Sequence, residues 1–210
     1  EYKMALRRNI DNPVIDNNEI LSEGGARLLH HAKVNYVDSD TRPRFRDVFE
    51  YAAKIKMNDE CIIVANGDIH FSTDIQQQLK GLKSNECYAL TRWEDYGPSD
   101  LHFSCTFNSQ DAWIFRSVPI DHKIGNYPFG IVGCDGKLAA ELTRIGYKVK
   151  NPSITIKSMH LHVVDYRTYD HESLDRSVLD ERLFLRPTVL SSIELFKAAG
   201  DRKVRLWMKS

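Results

Sequence analysis

The segment from Cys61 to Ala65 is a continuous apolar run that ends at Asn66-Gly67-Asp68. Three of its residues are β-branched, a pattern typical of a central strand that is covered on both faces of a sheet. Asn66 and Asp68 bring two oxygen-bearing side chains to the carboxyl end of this strand, where open α/β sheets bind their ligands. Oxygen ligands at that position suit a hard divalent cation. Because the same residue types are common in turns, a turn that only closes the strand explains the pattern equally well.

Helical and strand-like segments alternate along the first two thirds of the chain. Apolar residues recur at helical spacing in the segments 1–10, 44–53, 72–82 and 135–146. Strand-like runs occur at 19–21, 34–37, 61–65, 87–91, 113–115 and 147–149. This alternation predicts an α/β fold, with a mostly parallel central sheet and helices on both of its faces. The helix at 1–10 has no strand before it, so we expect a strand upstream of it.

The last third of the chain is less regular. Residues 154–156 alternate like a strand, and 159–164 continue as an extended segment. The segment 191–199 has a helical pattern, whereas 204–208 fits either a strand or a tail docked on the domain. With 210 residues, of which 42% are hydrophobic, the chain is long enough for one large core, so we expect a single domain over 1–210.

Charge and cysteine content disfavour several kinds of partner and site. Lysine plus arginine equals aspartate plus glutamate at 29 each, so no overall basic field favours nucleic acid as a partner. The four cysteines show no C-x-x-C spacing, which argues against a zinc site or a redox pair and favours a reducing, cytoplasmic compartment. No apolar run approaches the roughly 18 residues of a membrane-spanning helix, so we expect a soluble protein.

Three common phosphate-binding and hydrolase motifs are missing from the sequence. It contains no G-x-x-x-x-G-K-[ST] loop, and the glycines of 130–136 have the wrong spacing for the G-x-G-x-x-G dinucleotide motif. It also contains no G-x-S-x-G turn. A kinase, a Rossmann dehydrogenase and an α/β-hydrolase are therefore disfavoured, which leaves a metal-type carboxylate that follows a strand.

Several separate segments together resemble the GT-A nucleotide-sugar-dependent glycosyltransferases. The Asn-Gly-Asp of 66–68 resembles a variant of their D-x-D motif, and the Ser-Gln-Asp-Ala-Trp-Ile-Phe of 109–115 resembles an S-Q-D-x-W-I-F block. The Gly-Cys-Asp of 133–135, which precedes a helix, resembles their G-C-D segment. The Asn-Pro of 151–152 and the His-Leu-His of 160–162 follow in the same order. The set of motifs is much more specific than any one of them.

The resemblance implies a GT-A-like fold and a metal-dependent transfer of a sugar. It covers about 1–162, the part that would bind the nucleotide sugar and the acceptor, and leaves 163–210 as a C-terminal extension packed on that core. The implied donor is a UDP-sugar, and the sugar moves to a hydroxyl of a glycan or glycoprotein. The departure is Asn66, which replaces the first aspartate of the usual motif and leaves Asp68 as the only charged metal ligand there.

The implied metal is Mn²⁺ or Mg²⁺, held by Asp68 and the donor diphosphate. A histidine ligand would favour Mn²⁺, and the 160–162 segment supplies two candidates. In an extended segment both imidazoles point to one face, so only one need be a ligand while local twist turns the other away. We assign the ligand to His162 and expect His160 to pack elsewhere. The alternative is that His162 is a core or surface histidine.

Two further carboxylates and three arginines complete the candidate site. Asp135 would act as general base or orient the acceptor hydroxyl, unless it only caps the helix that follows it. Asp111 would bind sugar hydroxyls. Asn66 and Asp68 would lie on the donor side together with Arg92, Arg42 and Arg44 as candidates for binding the diphosphate. An exposed salt bridge is an equally good explanation of Arg92.

Two other functions remain open from the sequence. A sugar nucleotidyltransferase would make the nucleotide sugar rather than use it, but the glycine-rich, lysine-containing N-terminal loop expected of that class is missing. A non-catalytic module that binds a glycan or a nucleotide sugar is compatible with Asn66 in the metal motif. Release of free UDP from a UDP-sugar separates these functions. The expected partners are the UDP-sugar and the acceptor, with no nucleic acid, no membrane span and a monomeric state.

Overall fold

The computed structural model describes residues 1–55, 60–116, 118–119, 123–161, 176–179, 181–190 and 204–209. Within these ranges the chain forms an α/β fold with a seven-stranded and a four-stranded sheet. The α/β class predicted from the alternating pattern is therefore confirmed. None of the helices in these ranges is long and apolar enough to cross a membrane.

The elements keep the order of the sequence patterns but differ from them in length. The helices are α1 Tyr2–Asp11, α2 Phe45–Lys54, α3 Ile75–Gln78, α4 Cys134–Arg144 and α5 Arg176–Leu179. The strands are β1 Ile15–Glu23, β2 Val34–Ser39, β3 Cys61–Asn66, β4 Ile69–Phe71, β5 Glu86–Leu90, β6 Arg92–Asp95, β7 Leu101–Phe103, β8 Ala112–Phe115, β9 Lys148–Lys150, β10 Ser158–Leu161 and β11 Val204–Lys209.

The larger sheet has the strand order β2-β1-β11-β3-β8-β5-β9. Strand β8 is antiparallel to both of its neighbours, β3 and β5, whereas the other neighbouring pairs are parallel. The sheet is therefore mixed. The segment 204–208, for which a strand and a docked tail were both open, lies in the middle of this sheet as part of β11.

Two hydrophobic cores lie on opposite faces of the large sheet, because successive residues of a strand point to opposite faces. In β3, Ile63 and Ala65 belong to a core that includes residues of α1 and α3. Ile62 and Val64 belong to a second core that includes residues of α2 and α4. Both faces of β3 are thus buried, which explains its unbroken apolar run.

The smaller sheet has the strand order β4-β10-β6-β7. Strand β4 follows β3 after the turn at Gly67 and Asp68, so this turn connects the two sheets. Strand β10 is antiparallel to β4 and parallel to β6. The backbone N–H of Leu161 donates to the carbonyl oxygen of Asp68 at 3.1 Å. This pairing brings the end of β10 directly to the turn.

The strand expected at 154–156 is wrong, because this segment is a turn. The backbone N–H groups of Thr155 and Ile156 both donate to the carbonyl oxygen of Pro152 at 2.9 Å. Ile156 is buried while Ile154 is 45% exposed, whereas two residues that alternate along a strand would share one face.

The helix expected over 72–82 is much shorter, since only Ile75–Gln78 is helical and the following residues form tighter turns, with the N–H of Leu82 donating to Leu79. The helix expected at 191–199 and the extended residues 162–164 lie outside the described residues.

Candidate functional site

A cavity of about 430 Å³ opens at the carboxyl end of β3. Three aromatic side chains, Phe45, Trp113 and Phe129, contribute to its lining. The polar side chains of the lining are Asn66, Asn108, Ser109, Gln110, Asp111 and Asp135. Apolar walls with a few placed polar groups are the usual form of a site for a small molecule.

The antiparallel course of β8 explains why two of these side chains meet. Ala65 of β3 pairs with Ala112 of β8, so the residue that ends β3 lies beside the residue that precedes β8. These residues are Asn66 and Asp111. The backbone N–H of Asn66 donates to the carbonyl oxygen of Asp111 at 3.1 Å. This bond fixes the two backbone segments relative to each other at the mouth of the cavity.

Asp68 in the turn after β3 carries the clearest sign of a ligand site. Its Oδ2 lies 3.4 Å from Nε2 of His160, and its side chain is 19% exposed. Its Oδ1 is buried and accepts no hydrogen bond from the described residues. Since a buried carboxylate oxygen without a donor is unfavourable, this atom suits a cation or a donor that a ligand supplies.

His160 lies between two carboxylates. Its Nδ1 is 2.7 Å from Oε2 of Glu94, and its Nε2 faces Asp68. Burial by itself would lower the pKa of His160, but the hydrogen bond and charge of Asp68, together with Glu94, raise it to about 9. The ring is therefore an imidazolium at neutral pH and balances the charge of Asp68.

The expectation that His160 packs away from the site is wrong. Antiparallel pairing of β10 with β4 places His160 opposite Ile69, the residue next to Asp68. The expected metal ligand His162 lies outside the described residues, so its assignment stays a prediction.

Asp111 is held from two sides. The side-chain amide of Asn66 donates to its Oδ1 at 2.8 Å, and Nη1 of Arg92 lies 3.6 Å from its Oδ2. Arg92 also donates from Nε to Glu94 at 2.5 Å. Burial raises the pKa of Asp111 despite these partners. Arg92 therefore forms ion pairs inside the site and not the exposed salt bridge considered from the sequence, and its binding of the diphosphate stays a prediction.

Asp135 lies in the first turn of α4 and is half-buried in the wall of the cavity. The backbone N–H of Gln110 and the hydroxyl of Ser109 donate hydrogen bonds to its carboxyl group. Burial is the main reason that its pKa is raised, and the charge of Asp111 adds to the effect, bringing the pKa to about 7. The N-cap of α4 is Gly133, with no side-chain cap. The contacts of Asp135 to 109–110 thus differ from those of a simple cap.

Two buried polar atoms belong to residues that line the cavity and have no hydrogen-bond partner among the described residues. They are the indole Nε1 of Trp113 and the amide Oε1 of Gln110. Each residue is 2% exposed. One atom is a donor and the other an acceptor, so both suit a ligand that carries hydroxyl groups, which donate and accept.

The loop of residues 124–130 forms another side of the cavity. It is held in place by a buried glutamate, Glu141, that the sequence did not indicate. The carboxylate of Glu141 in α4 accepts from the N–H of Gly125 at 2.8 Å and from the hydroxyl of Tyr127 at 2.9 Å. The carbonyl oxygen of Gly125 in turn accepts from the N–H of Arg46 at 3.0 Å. These contacts tie the loop to α4 and α2 and so place Phe129 at the cavity. A buried glutamate on a helix had no sequence signal beyond its place on the apolar face.

Three cations lie near the rim of the cavity. Nη2 of Arg42 is 3.5 Å from the carbonyl oxygen of Gly130, a residue of the cavity lining. Arg44 instead donates to the side chain of Asn126 at 2.7 Å. Lys209, at the end of β11, was not found from the sequence. Burial, followed by the charge of Arg42, lowers the pKa of Lys209.

The structure brings most of the predicted residues into one connected group. Asp68, Asp111 and Asp135 lie near enough for neighbouring charges to act on each other, with Asp111 in the middle. Among the described residues, no group of three histidine, cysteine, aspartate or glutamate side chains could hold a metal ion. A cation at Asp68 would therefore need further oxygen ligands from a bound molecule or water.

Comparison of the chain with models of known protein families, with curated proteins and with solved structures found no match.

Proposed function

We propose that this protein is a GT-A-like glycosyltransferase that uses a divalent metal to move a sugar from a UDP-sugar to a hydroxyl of a glycan or glycoprotein. The observation that carries the proposal is the buried Oδ1 of Asp68, which has no hydrogen-bond partner among the described residues and lies near a cavity lined by Asp111 and Asp135. A metal ligand, a sugar-sized space and two carboxylates thus lie together at the carboxyl end of a central strand. The order of the motifs along the sequence supports the same function.

The fold supports the GT-A-like part of this proposal. Parallel pairing joins β2, β1, β11 and β3 in succession, and a single antiparallel strand, β8, separates them from β5. Helices contribute to the cores on both faces of this sheet. These pairings support our proposal that the mixed sheet corresponds to the mostly parallel, helix-flanked sheet of a GT-A-like fold.

The donor set at Asp68 fits Mg²⁺ or Mn²⁺. The buried Oδ1 of Asp68 is a hard ligand, whereas its Oδ2 faces the ring of His160 at 3.4 Å. When bound, the cation would offset the negative charge that develops on the diphosphate leaving group. Protein ligands are few at this point, so the nucleotide diphosphate is expected to supply others, and metal and nucleotide should bind together.

Asp135 is the residue best suited to accept the proton of the acceptor hydroxyl. As the acceptor oxygen bonds to the anomeric carbon, the bond from that carbon to the phosphate oxygen breaks, and the hydroxyl proton passes to the carboxylate. A pKa of about 7 allows Asp135 to be deprotonated at neutral pH while it still holds the proton strongly. The hydrogen bonds from Gln110 and Ser109 orient the carboxylate towards a fixed position.

Asp111 is better suited to binding than to proton transfer. Asn66 and Arg92 hold its two oxygens in place, and each oxygen keeps a lone pair that can accept from a sugar hydroxyl. Its charge also raises the pKa of Asp135 and so helps to set the strength of the base. Loss of Asp111 should therefore reduce both sugar binding and the basicity of Asp135.

A thermal-shift experiment with UDP tests the metal-dependent part of the proposal. At 100 times the dissociation constant, UDP should add roughly 2.7 kcal/mol of stability when Mn²⁺ or Mg²⁺ is present. Excess EDTA should remove the effect, and Asp68→Asn should abolish it while the fold is retained. Equal stabilisation in EDTA would exclude a metal that links Asp68 to the diphosphate. Incubation with a panel of UDP-sugars and a glycan acceptor, followed by measurement of released UDP, then tests transfer.

A non-catalytic module that binds a nucleotide sugar is the second candidate. It is favoured by the hydrogen bond of Asn66 to Asp111, because this bond occupies the residue that stands where the family has a second metal-binding carboxylate. Metal-dependent binding of UDP without any UDP release from UDP-sugars, with every acceptor offered, would support this function over transfer.

A further inference from the structure

Two cations face the same small space at the rim of the cavity. A Cβ built on Gly130 would lie 3.1 Å from Nη2 of Arg42 and 3.9 Å from Nζ of Lys209. Gly130 has a φ of +67°, a backbone conformation that disfavours any other residue, and it also lines the cavity. The missing side chain therefore lets a guanidinium and an ammonium group both approach the backbone of Gly130, next to the cavity.

Among the residues that the structure describes, neither cation has a carboxylate partner within salt-bridge distance. Arg42 makes one long hydrogen bond to a backbone oxygen, at 3.5 Å. The ammonium group of Lys209 has no hydrogen bond or close ion pair with any described residue, although Glu23 and Asp68 are near enough for their charges to act on it. Two like charges this close repel each other, so an anion between them would be strongly favourable.

The position of Lys209 is fixed relative to Asp68. Lys209 pairs with Asn66 in the sheet, and a Cβ on Gly67 would lie 2.1 Å from the carbonyl oxygen of Lys209. The backbone of β11 thus lies directly against the turn that carries Asp68. An anion held by Lys209 would be next to the proposed metal ligand on one side and next to the cavity on the other.

We propose that Lys209 and Arg42, which meet beside Gly130 at the edge of the cavity, form a binding site for a phosphate group. Both side chains can donate charge-assisted hydrogen bonds to phosphate oxygens. The inference deepens the proposed function, on which it rests in taking this phosphate to belong to the donor diphosphate. Lys209 is then a binding residue contributed by β11, and it holds a phosphate oxygen other than those nearest Asp68.

Titration calorimetry with inorganic diphosphate in the presence of Mg²⁺ tests this site. We expect Lys209→Gln and Arg42→Gln each to weaken binding on the order of tenfold or more, because each removes a charged hydrogen bond. Lys209→Arg should retain most of the affinity. Lys148→Gln is the matched control, since Lys148 is an exposed lysine of β9, and it should bind as the wild type does.

Each outcome of this titration decides the proposal. Unchanged affinity in folded Lys209→Gln, or no binding of diphosphate to the wild type, overturns it. If circular dichroism shows that Lys209→Gln does not fold, the comparison of Lys209→Arg and Arg42→Gln with the wild type decides instead, and equal affinity in all three overturns it.

The same variants separate this inference from the proposed function. If Lys209→Gln loses diphosphate binding and the wild type releases no UDP from any UDP-sugar, the phosphate site is supported and the transferase function is rejected. If Lys209→Gln transfers sugar and binds diphosphate as the wild type does, the transferase function is supported and the phosphate site is rejected.

Discussion

The carbonyl oxygen of Lys209 lies 2.1 Å from the position that a Cβ would take on Gly67, which is too close for any side chain at that position. Two elements from distant parts of the sequence thus meet backbone to backbone at the turn that carries Asp68. The glycine is required by this approach and not by a positive φ.

Gly67→Ala should therefore destabilise the protein, because the new methyl group would push against a backbone carbonyl that cannot rotate away. We expect a loss of about 1 to 3 kcal/mol or more in the free energy of unfolding by urea. Gly24→Ala is a useful control, since Gly24 has a φ of +70° but nothing within 4 Å of the added atom, so only backbone strain is tested. Equal stability of Gly67→Ala and wild type would mean that β11 is not held against this turn.

Asp135→Asn should reduce sugar transfer on the order of 10² or more, because the amide cannot accept the hydroxyl proton. Metal-dependent UDP binding should be unchanged in this variant. In the wild type, kcat/KM should rise with pH through about 7, the pKa of Asp135, since the deprotonated form is the active one. A pH profile of UDP release measures this. A flat profile through neutral pH in the wild type would assign the base to another residue.

Stability should also depend on the protonation of Asp135. In the unfolded chain its pKa has the ordinary value of 3.8, whereas in the folded protein it is about 7. Between these values the native state binds more protons, so the contribution of Asp135 to stability falls as pH rises from about 4 to about 7. Asp135→Asn has no carboxyl group and so does not lose this contribution. The free energy of unfolding of Asp135→Asn minus that of the wild type should therefore be larger at pH 8 than at pH 4, by at least about 1 kcal/mol. Urea unfolding at the two pH values tests the difference.

Asn66→Asp should not improve the metal site, although it restores a second carboxylate to the turn. The amide of Asn66 donates to Asp111 at 2.8 Å, so an aspartate there would place two negative charges in contact. We expect a loss of about 1 to 3 kcal/mol at pH 8, and a smaller loss at pH 5, where one carboxyl group takes a proton.

Asn66→Ala provides the comparison for this variant. It loses only the hydrogen bond, about 1 kcal/mol, with little dependence on pH. Stronger Mn²⁺ binding by Asn66→Asp, with unchanged stability, would show that Asn66 is free to act as a ligand.

His160→Ala should weaken metal-dependent UDP binding on the order of tenfold, because it removes the group that lies against Asp68. His162→Ala tests the ligand expected from the sequence in the same assay. A larger effect of His162→Ala would support His162 as the metal ligand expected from the sequence. A larger effect of His160→Ala would agree with the pairing of β10 with β4, which places His160 beside Asp68.

The carboxylates of the site could be predicted from the sequence because each follows or precedes an apolar run. Asp68 follows one strand, Asp111 precedes another and Asp135 begins a helix, and the carboxyl ends of strands are where open α/β sheets bind their ligands. The contact between Asn66 and Asp111 could not be predicted, because it requires β8 to run antiparallel to β3. A sequence pattern shows that a segment is a strand but not the direction in which it pairs.

The location of His160 and Lys209 at the site could not be predicted from the sequence for a related reason. The sequence placed two histidines in one extended segment, but only the register of β10 against β4 shows that His160 meets Asp68. Lys209 follows an apolar run, as Asp68 does, yet the pattern at 204–208 fitted a docked tail equally well. Its position at the site depends on the insertion of β11 between β1 and β3, a long-range pairing that no local pattern encodes.

The insertion of β11 has a consequence for how the sheet is assembled. Val204 of β11 donates to Asp16 across 188 positions of sequence, and such distant pairing slows folding. Yet the start of α1 lies close by, because the Cβ position on Gly67 is also 3.3 Å from Cδ1 of Tyr2. A circular permutant of residues 1–210 that begins with β11 and continues into α1 and β1 would turn this distant pairing into a local strand-helix-strand unit. Such a permutant should form the same sheet and refold faster than residues 1–210 in their original order.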